Sequence, residues 1–290
     1  MSTDLSSLTS VTQLGSPSDG GATYRATIDP VFTIGPKVHG GSLQMVVAAA
    51  ARQAYRDLGG PDPEAGVLAI ASDYLLAPDP AEVDVQVSLI KTGRTVSLAR
   101  VDVRQHDRTM VTSTVTLGRP DHGDAHYRAE TPVSDLPVEP PPGSVDLYST
   151  PMGNVVHLGA ALDVVLDMDK FPAARGEKGE PLVRGWTRPK NADRQAPGVR
   201  ADFPILVADL SPPVVMNLGM FGWAPTVQLT TYLRRIPDIA QDRPDGWLRF
   251  AATTSEVGHG MFAEDHVVLD ATGATVAQSR QLALIPAASQ

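Results

Sequence analysis

A chain of 290 residues, 42% of them apolar, holds enough core material for one large or two medium domains and too much for a disordered polypeptide. It contains no cysteine, so disulfides, thiolate nucleophiles and cysteine-bound zinc are excluded. The net charge of −9 argues against a nucleic-acid partner, because contact with phosphate backbones takes a basic face.

The N-terminal MSTDLSSLTS lacks the basic-then-apolar pattern of a signal peptide. No apolar run approaches the roughly 20 residues of a membrane span. These two readings lead to the expectation of a cytoplasmic protein. Residues 1–22 are polar, rich in Ser, Thr and Gly, and expected to be loose. Tyr24, Ala26 and Ile28 alternate with polar residues, which predicts a strand. After His39-Gly40-Gly41-Ser42, apolar residues recur at helical spacing from Leu43 to Leu58, and Gly59-Gly60-Pro61 ends the run. The alanines Ala48 to Ala51 suit a helix that other backbone approaches closely. Strands are predicted at Val67–Leu76, Val83–Leu89, Thr95–Gln105 and Thr109–Leu117, with a turn at His106-Asp107-Arg108.

Residues 131–143, TPVSDLPVEPPPG, carry no periodicity and read as part of a proline-rich linker, 119–143. A second domain is expected over 144–290, with a helix from Phe203 to about Leu218. Strands are predicted at Thr226–Arg234, Trp247–Thr254, Met261–Leu269 and Thr275–Leu284. The order of one helix and then four antiparallel strands occurs twice, which predicts an α+β protein built by duplication. Residues 93–117 also lie on 258–282 without a gap, with Gly93 on Gly258, Val103 on Val268, Val111 on Val276 and Leu117 on Leu282. Arg234-Arg235 at a strand end reads as a solvated pair or as an anchor for a phosphorylated ligand.

Motifs narrow the chemistry. There is no G-x-S-x-G elbow and no GxxxxGK[ST] loop. No two of the seven histidines form an H-x-H or an H-E-x-x-H motif. Gly258-x-Gly260-x-x-Ala263 has dinucleotide-loop spacing but runs into a strand pattern, not a helix. What remains is chemistry by Asp, Glu, His, Thr, Gln and backbone, most simply on a bound water, without metal or cofactor.

Several segments resemble the tandem-hotdog acyl-CoA thioesterases of the thioesterase II type. In the first half these are Gly40-Gly41, Ser72-Asp73-Tyr74-Leu75-Leu76-Ala77-Pro78 and Gly93 to Arg100. In the second half they are Ala208-Asp209, Pro225 to Thr230 and Val276 to Gln281. The resemblance implies a double hotdog, with units at 1–118 and 144–290, two central helices each wrapped by a curved antiparallel sheet, and acyl-CoA bound where the units meet. It implies hydrolysis of acyl-CoA to fatty acid and CoA in lipid metabolism, and further association into homo-oligomers. It also implies that Asp209, Thr226 and Gln281 hold the attacking water, with His39, Gly40 and Gly41 near the substrate. A carboxylate suits the general base, and a hydroxyl and a carboxamide fix the water's other hydrogen bonds. Backbone N–H groups for the oxyanion are expected from Gly40-Gly41 or from the start of the second helix. Without the resemblance, Asp209 reads as a helix cap, Thr226 and Gln281 as ordinary strand residues, and His39 as a backbone-bonded helix entry. Two other functions stay open: a hotdog enoyl-CoA hydratase, and a non-catalytic acyl-CoA-binding protein. The hydratase needs an Asp and a His a few residues apart, yet no His follows Asp209 before His259.

Overall fold

The computed structural model describes residues 4–17, 20–190, 193, 196–238 and 246–286. The first half contains β1 (Thr12–Gln13), β2 (Gly21–Thr27), β3 (Thr33–Ile34), β4 (Lys37–Val38), α1 (Gly40–Asp57), β5 (Gly66–Tyr74), β6 (Glu82–Lys91), β7 (Val96–Gln105) and β8 (Arg108–Gly118). The second contains β9 (Leu162–Leu166), β10 (Leu182–Pro189), α2 (Pro197–Val207), β11 (Thr226–Leu233), β12 (Leu248–Thr253), β13 (Met261–Leu269) and β14 (Thr275–Leu284). All but β3 and β4 join one antiparallel sheet in the order β1-β2-β6-β7-β8-β5-β11-β14-β13-β12-β10-β9. The order is palindromic about the β5–β11 pair, where Gln228 faces Asp73 and Tyr232 faces Ala69. The hairpins β7–β8 and β13–β14 occupy equivalent places on either side, and they are the segments that align in sequence.

Helix α1 is buried along its length from Gly41 to Ala51. It packs on β2, β5, β6, β7 and β8, and on α2. Its alanines permit this, since a larger side chain on any face would meet a strand or the second helix. The β7–β8 hairpin turns through His106 and Asp107, with φ of 51° and 58°. Two positive φ values in a two-residue loop match the right-handed twist of the flanking strands.

Three expectations need correction. The N-terminal residues are not all loose: Leu5–Thr9 form a 3-10 turn whose Leu5 and Leu8 are fully buried against α1 and α2. The second helix spans Pro197–Val207, not 203–218, and Val214–Leu218 form a separate 3-10 turn. Pro212 and Pro213 lack the N–H groups a continuous helix needs, so the chain breaks at 208–213. Strands β9 and β10 and the short turns at 147–160 fill a stretch where no element was predicted. The proline-rich segment is also pinned to the sheet. Val133 and Leu136 are buried with Trp186 and Trp247, and the Trp186 indole N–H donates to the Pro137 carbonyl at 2.8 Å.

Candidate functional site

Asp209 follows α2 by two residues, in the break that the prolines create. Its side chain is 7% exposed. Oδ2 accepts the Gly41 N–H at 2.7 Å, at the first turn of α1. A helix N-terminus favours a carboxylate there. Burial outweighs this: the Asp209 pKa is raised, with desolvation the largest cause, and His39 and the Gly41 N–H act the other way.

His39 caps α1, its Nδ1 accepting the Ser42 N–H at 3.3 Å. That bond assigns the ring proton to Nε2, which donates to the Asp209 carbonyl at 2.8 Å. The same nitrogen is 3.5 Å from Asp209 Oδ2. The two glycines are required by space. A Cβ on Gly40 would sit 2.7 Å from Asp209 Oδ2 and 3.2 Å from the Tyr74 hydroxyl. One on Gly41 would sit 2.9 Å from the Leu206 carbonyl in α2. Tyr74 donates to the Gly40 carbonyl at 2.9 Å, and burial beside Asp209 holds its hydroxyl well above the usual tyrosine pKa.

Thr226 opens β11 next to a bulge between Thr226 and Gln228, which re-aims the first residue of the strand. Its hydroxyl donates to Gln281 Oε1 at 2.9 Å. Gln281 lies on β14 directly opposite Glu264 on β13, and its Nε2 donates to Glu264 Oε2. Glu264 Oε1 accepts the Val214 N–H at 2.5 Å. This second carboxyl is not among the site residues expected from the sequence. It is 1% exposed, and its pKa is pushed up to about 7, first by burial and further by the charge of Asp209. The available signal was parity. Phe262 and Val268 point inward, so Glu264 and His266 on the same parity do too, and a buried carboxyl needs a reason.

Asp209, Thr226, Gln281, Glu264, His39 and Gly40 all line one cavity of about 260 Å³. Gly41, expected near the substrate, does not line the cavity and donates its N–H to Asp209. A larger cavity of about 660 Å³ adjoins it, sharing Ile34, His39, Ser211, Pro213, Trp223 and Ala224. Its remaining wall is mostly apolar, with Leu147, Met152, Val156, Leu158, Leu210 and Met216. The expected oxyanion donors are narrowed. The Gly41 N–H is occupied by Asp209, and α2 turns its C-terminal end toward the site, which has the wrong polarity for an anion. Arg235 lies in a different cleft with Arg52 and Arg56, and its guanidinium donates to the Gly123 carbonyl at 2.8 Å. Among the described residues no group of three or more His, Asp or Glu is arranged to hold a metal ion, and no helix is long and apolar enough to cross a membrane.

Comparison with known proteins bears on this arrangement. A family model for the acyl-CoA thioesterase N-terminal domain matches residues 27–118, and one for the acyl-CoA thioesterase C-terminal domain matches 133–285. Uncharacterized proteins of Mycobacterium tuberculosis and Mycobacterium bovis are 38% identical over 280 residues, covering 91% of each chain. A candidate thioesterase II from Thermobifida fusca superposes with a TM-score of 0.75 at 27% identity, covering 98% of this chain and 97% of the other. A hot dog fold protein from Alicyclobacillus acidocaldarius, at 17% identity and TM-score 0.70, covers 98% of both chains and shares the fold. So does an acyl-CoA thioesterase II from Mycobacterium marinum, at 15% identity and TM-score 0.69 over 99% of both chains.

Proposed function

The chain belongs to the acyl-CoA thioesterase family, and on that premise we propose that it hydrolyses acyl-CoA to a free acid and CoA by attack of an activated water. The observation that carries the reading is the common cavity. A buried carboxylate, a hydroxyl and a carboxamide converge on it beside a larger apolar chamber. Asp209 is the general base. Its raised pKa improves it as a proton acceptor. Thr226 and Gln281 hold the water. The Gly40 N–H, at the positive end of α1, is the donor we assign to the developing oxyanion. No metal or nucleotide cofactor enters this mechanism. The two halves are read as hotdog units at about 1–118 and 144–290, each built around one helix, with 119–143 crossing between them. The thioester reacts at their junction, and the acyl chain extends into the apolar chamber.

Thiol release from a panel running from acetyl-CoA to palmitoyl-CoA tests the proposal. Each methylene buried in the chamber contributes about 0.8 kcal/mol, or roughly fourfold in kcat/KM, until the chamber is full. Chain-length dependence of that kind is expected. A panel that yields no thiol above the spontaneous rate would sink the proposal. Tight binding without turnover would mark an acyl-CoA-binding protein instead.

A further inference from the structure

Glu264 is a buried titratable group on the cavity wall that the mechanism above does not use. We propose that Glu264 is a positioning residue that fixes the orientation of the Gln281 carboxamide, and through it the direction in which Thr226 offers its hydroxyl to the cavity. The last step, to a reacting water, rests on the thioesterase reading; the orientation itself does not.

Donors and acceptors set the chain of hydrogen bonds. An ionised carboxylate only accepts. Glu264 accepts the Val214 N–H on one oxygen and the Gln281 NH₂ on the other. Gln281 must then turn its carbonyl to Thr226, which spends its only proton on that carbonyl at 2.9 Å. Thr226 is left with lone pairs facing the cavity. A water there donates one hydrogen to Thr226 and the other to Asp209, and its own lone pair remains free for the thioester carbon. A protonated Glu264 reverses the chain. Its O–H donates to the amide oxygen, the carboxamide flips, and Thr226 points its proton into the cavity. There it engages the lone pair that should attack.

The titratable groups around Glu264 are few. Asp209 approaches from the break after α2, and its charge favours the protonated form. His266 lies two residues along the same face of β13, and burial lowers its pKa to about 4, so it carries no charge near neutrality. His39 and Tyr74 lie beyond, against Asp209. No cation is among the causes that set the Glu264 pKa, which at about 7 leaves both forms populated near neutral pH.

Side-chain NMR on protein labelled with ¹⁵N-glutamine reads the orientation without catalysis. Gln281→Ala identifies the resonance. In the wild type, the Gln281 NH₂ signals are expected to titrate with a midpoint near neutrality. In Glu264→Gln the titration is expected to vanish. In Asp209→Asn it is expected to persist at lower pH, since a neighbouring negative charge is gone. A wild-type signal that does not move between about pH 5 and 9 overturns the proposal even if Glu264→Gln does not fold. So does a titration lost in Asp209→Asn. The kinetic arm follows kcat. Glu264→Gln offers one acceptor oxygen in place of two, so kcat should drop about tenfold with little change in KM, and the acid limb of the pH profile should move down by about one pH unit. In a Gln281→Ala background the same substitution should change nothing further. Additive losses would indicate a merely structural glutamate and overturn the assignment. A wild type without thiol release would refute the function and leave the NMR arms to decide the orientation.

Discussion

Asp209 is held by opposing forces. Burial raises its proton affinity, and the Gly41 N–H at the start of α1 limits the rise. A base useful near neutral pH needs both, since a fully stabilised carboxylate accepts protons poorly. Thr226 is the lesser partner. Thr226→Val keeps the shape and strand propensity but leaves Gln281 Oε1 without its donor. We expect kcat to fall by the equivalent of about 1–3 kcal/mol with the thermal midpoint nearly unchanged, as steady-state kinetics and calorimetry would show. A kcat equal to the wild type would remove Thr226 from the water site. Asp209, Thr226 and Gln281, which line one cavity, were singled out in the sequence through the family resemblance, because each follows a recognisable local pattern. Glu264 was not, because Glu264-Asp265-His266 reads as a polar patch until the inward parity of Phe262 and Val268 is applied to it.

At the scale of elements, α1 and α2 meet through more than apolar packing. Arg52 and Asp202 form a bidentate pair between them, at 2.5 and 2.6 Å, with the Asp202 side chain 1% exposed. Breaking such a pair leaves an uncompensated buried charge. Arg52→Met is expected to destabilise by about 3 kcal/mol in urea unfolding, and Arg52→Met with Asp202→Leu to recover much of it. A single substitution without effect would show that the pair does not join the helices. Most strand positions were legible because buried residues alternate with less buried ones along β2, β6, β7, β13 and β14. Thr275–Leu284 has the predicted bounds and Met261–Leu269 likewise. The second helix was misjudged because Val214 to Leu218 continues its apolar periodicity past two prolines. Backbone chemistry, not hydrophobicity, ends that helix at Val207. The break is what frees Asp209 to turn back toward α1.

Across the whole molecule, the seam between β5 and β11 brings the two halves of the site together. His39, Gly40 and Gly41 come from the first half, and Asp209, Thr226, Glu264 and Gln281 from the second. Gln44 of α1 spans the seam, with hydrogen bonds to Ser72 on β5 and to Thr231 and the Leu229 carbonyl on β11. The Asp209 carboxylate of the second half rests on the N-terminus of α1 in the first, so catalysis in this account belongs to the assembled pair. Its centre is proton abstraction by Asp209, and the most direct measurement is acyl-CoA turnover and binding by Asp209→Asn. The amide keeps the volume and removes the base. The account predicts a fall in kcat of roughly 100-fold or more, with acyl-CoA affinity close to that of the wild type. Hydrolysis by Asp209→Asn at the wild-type rate would contradict it.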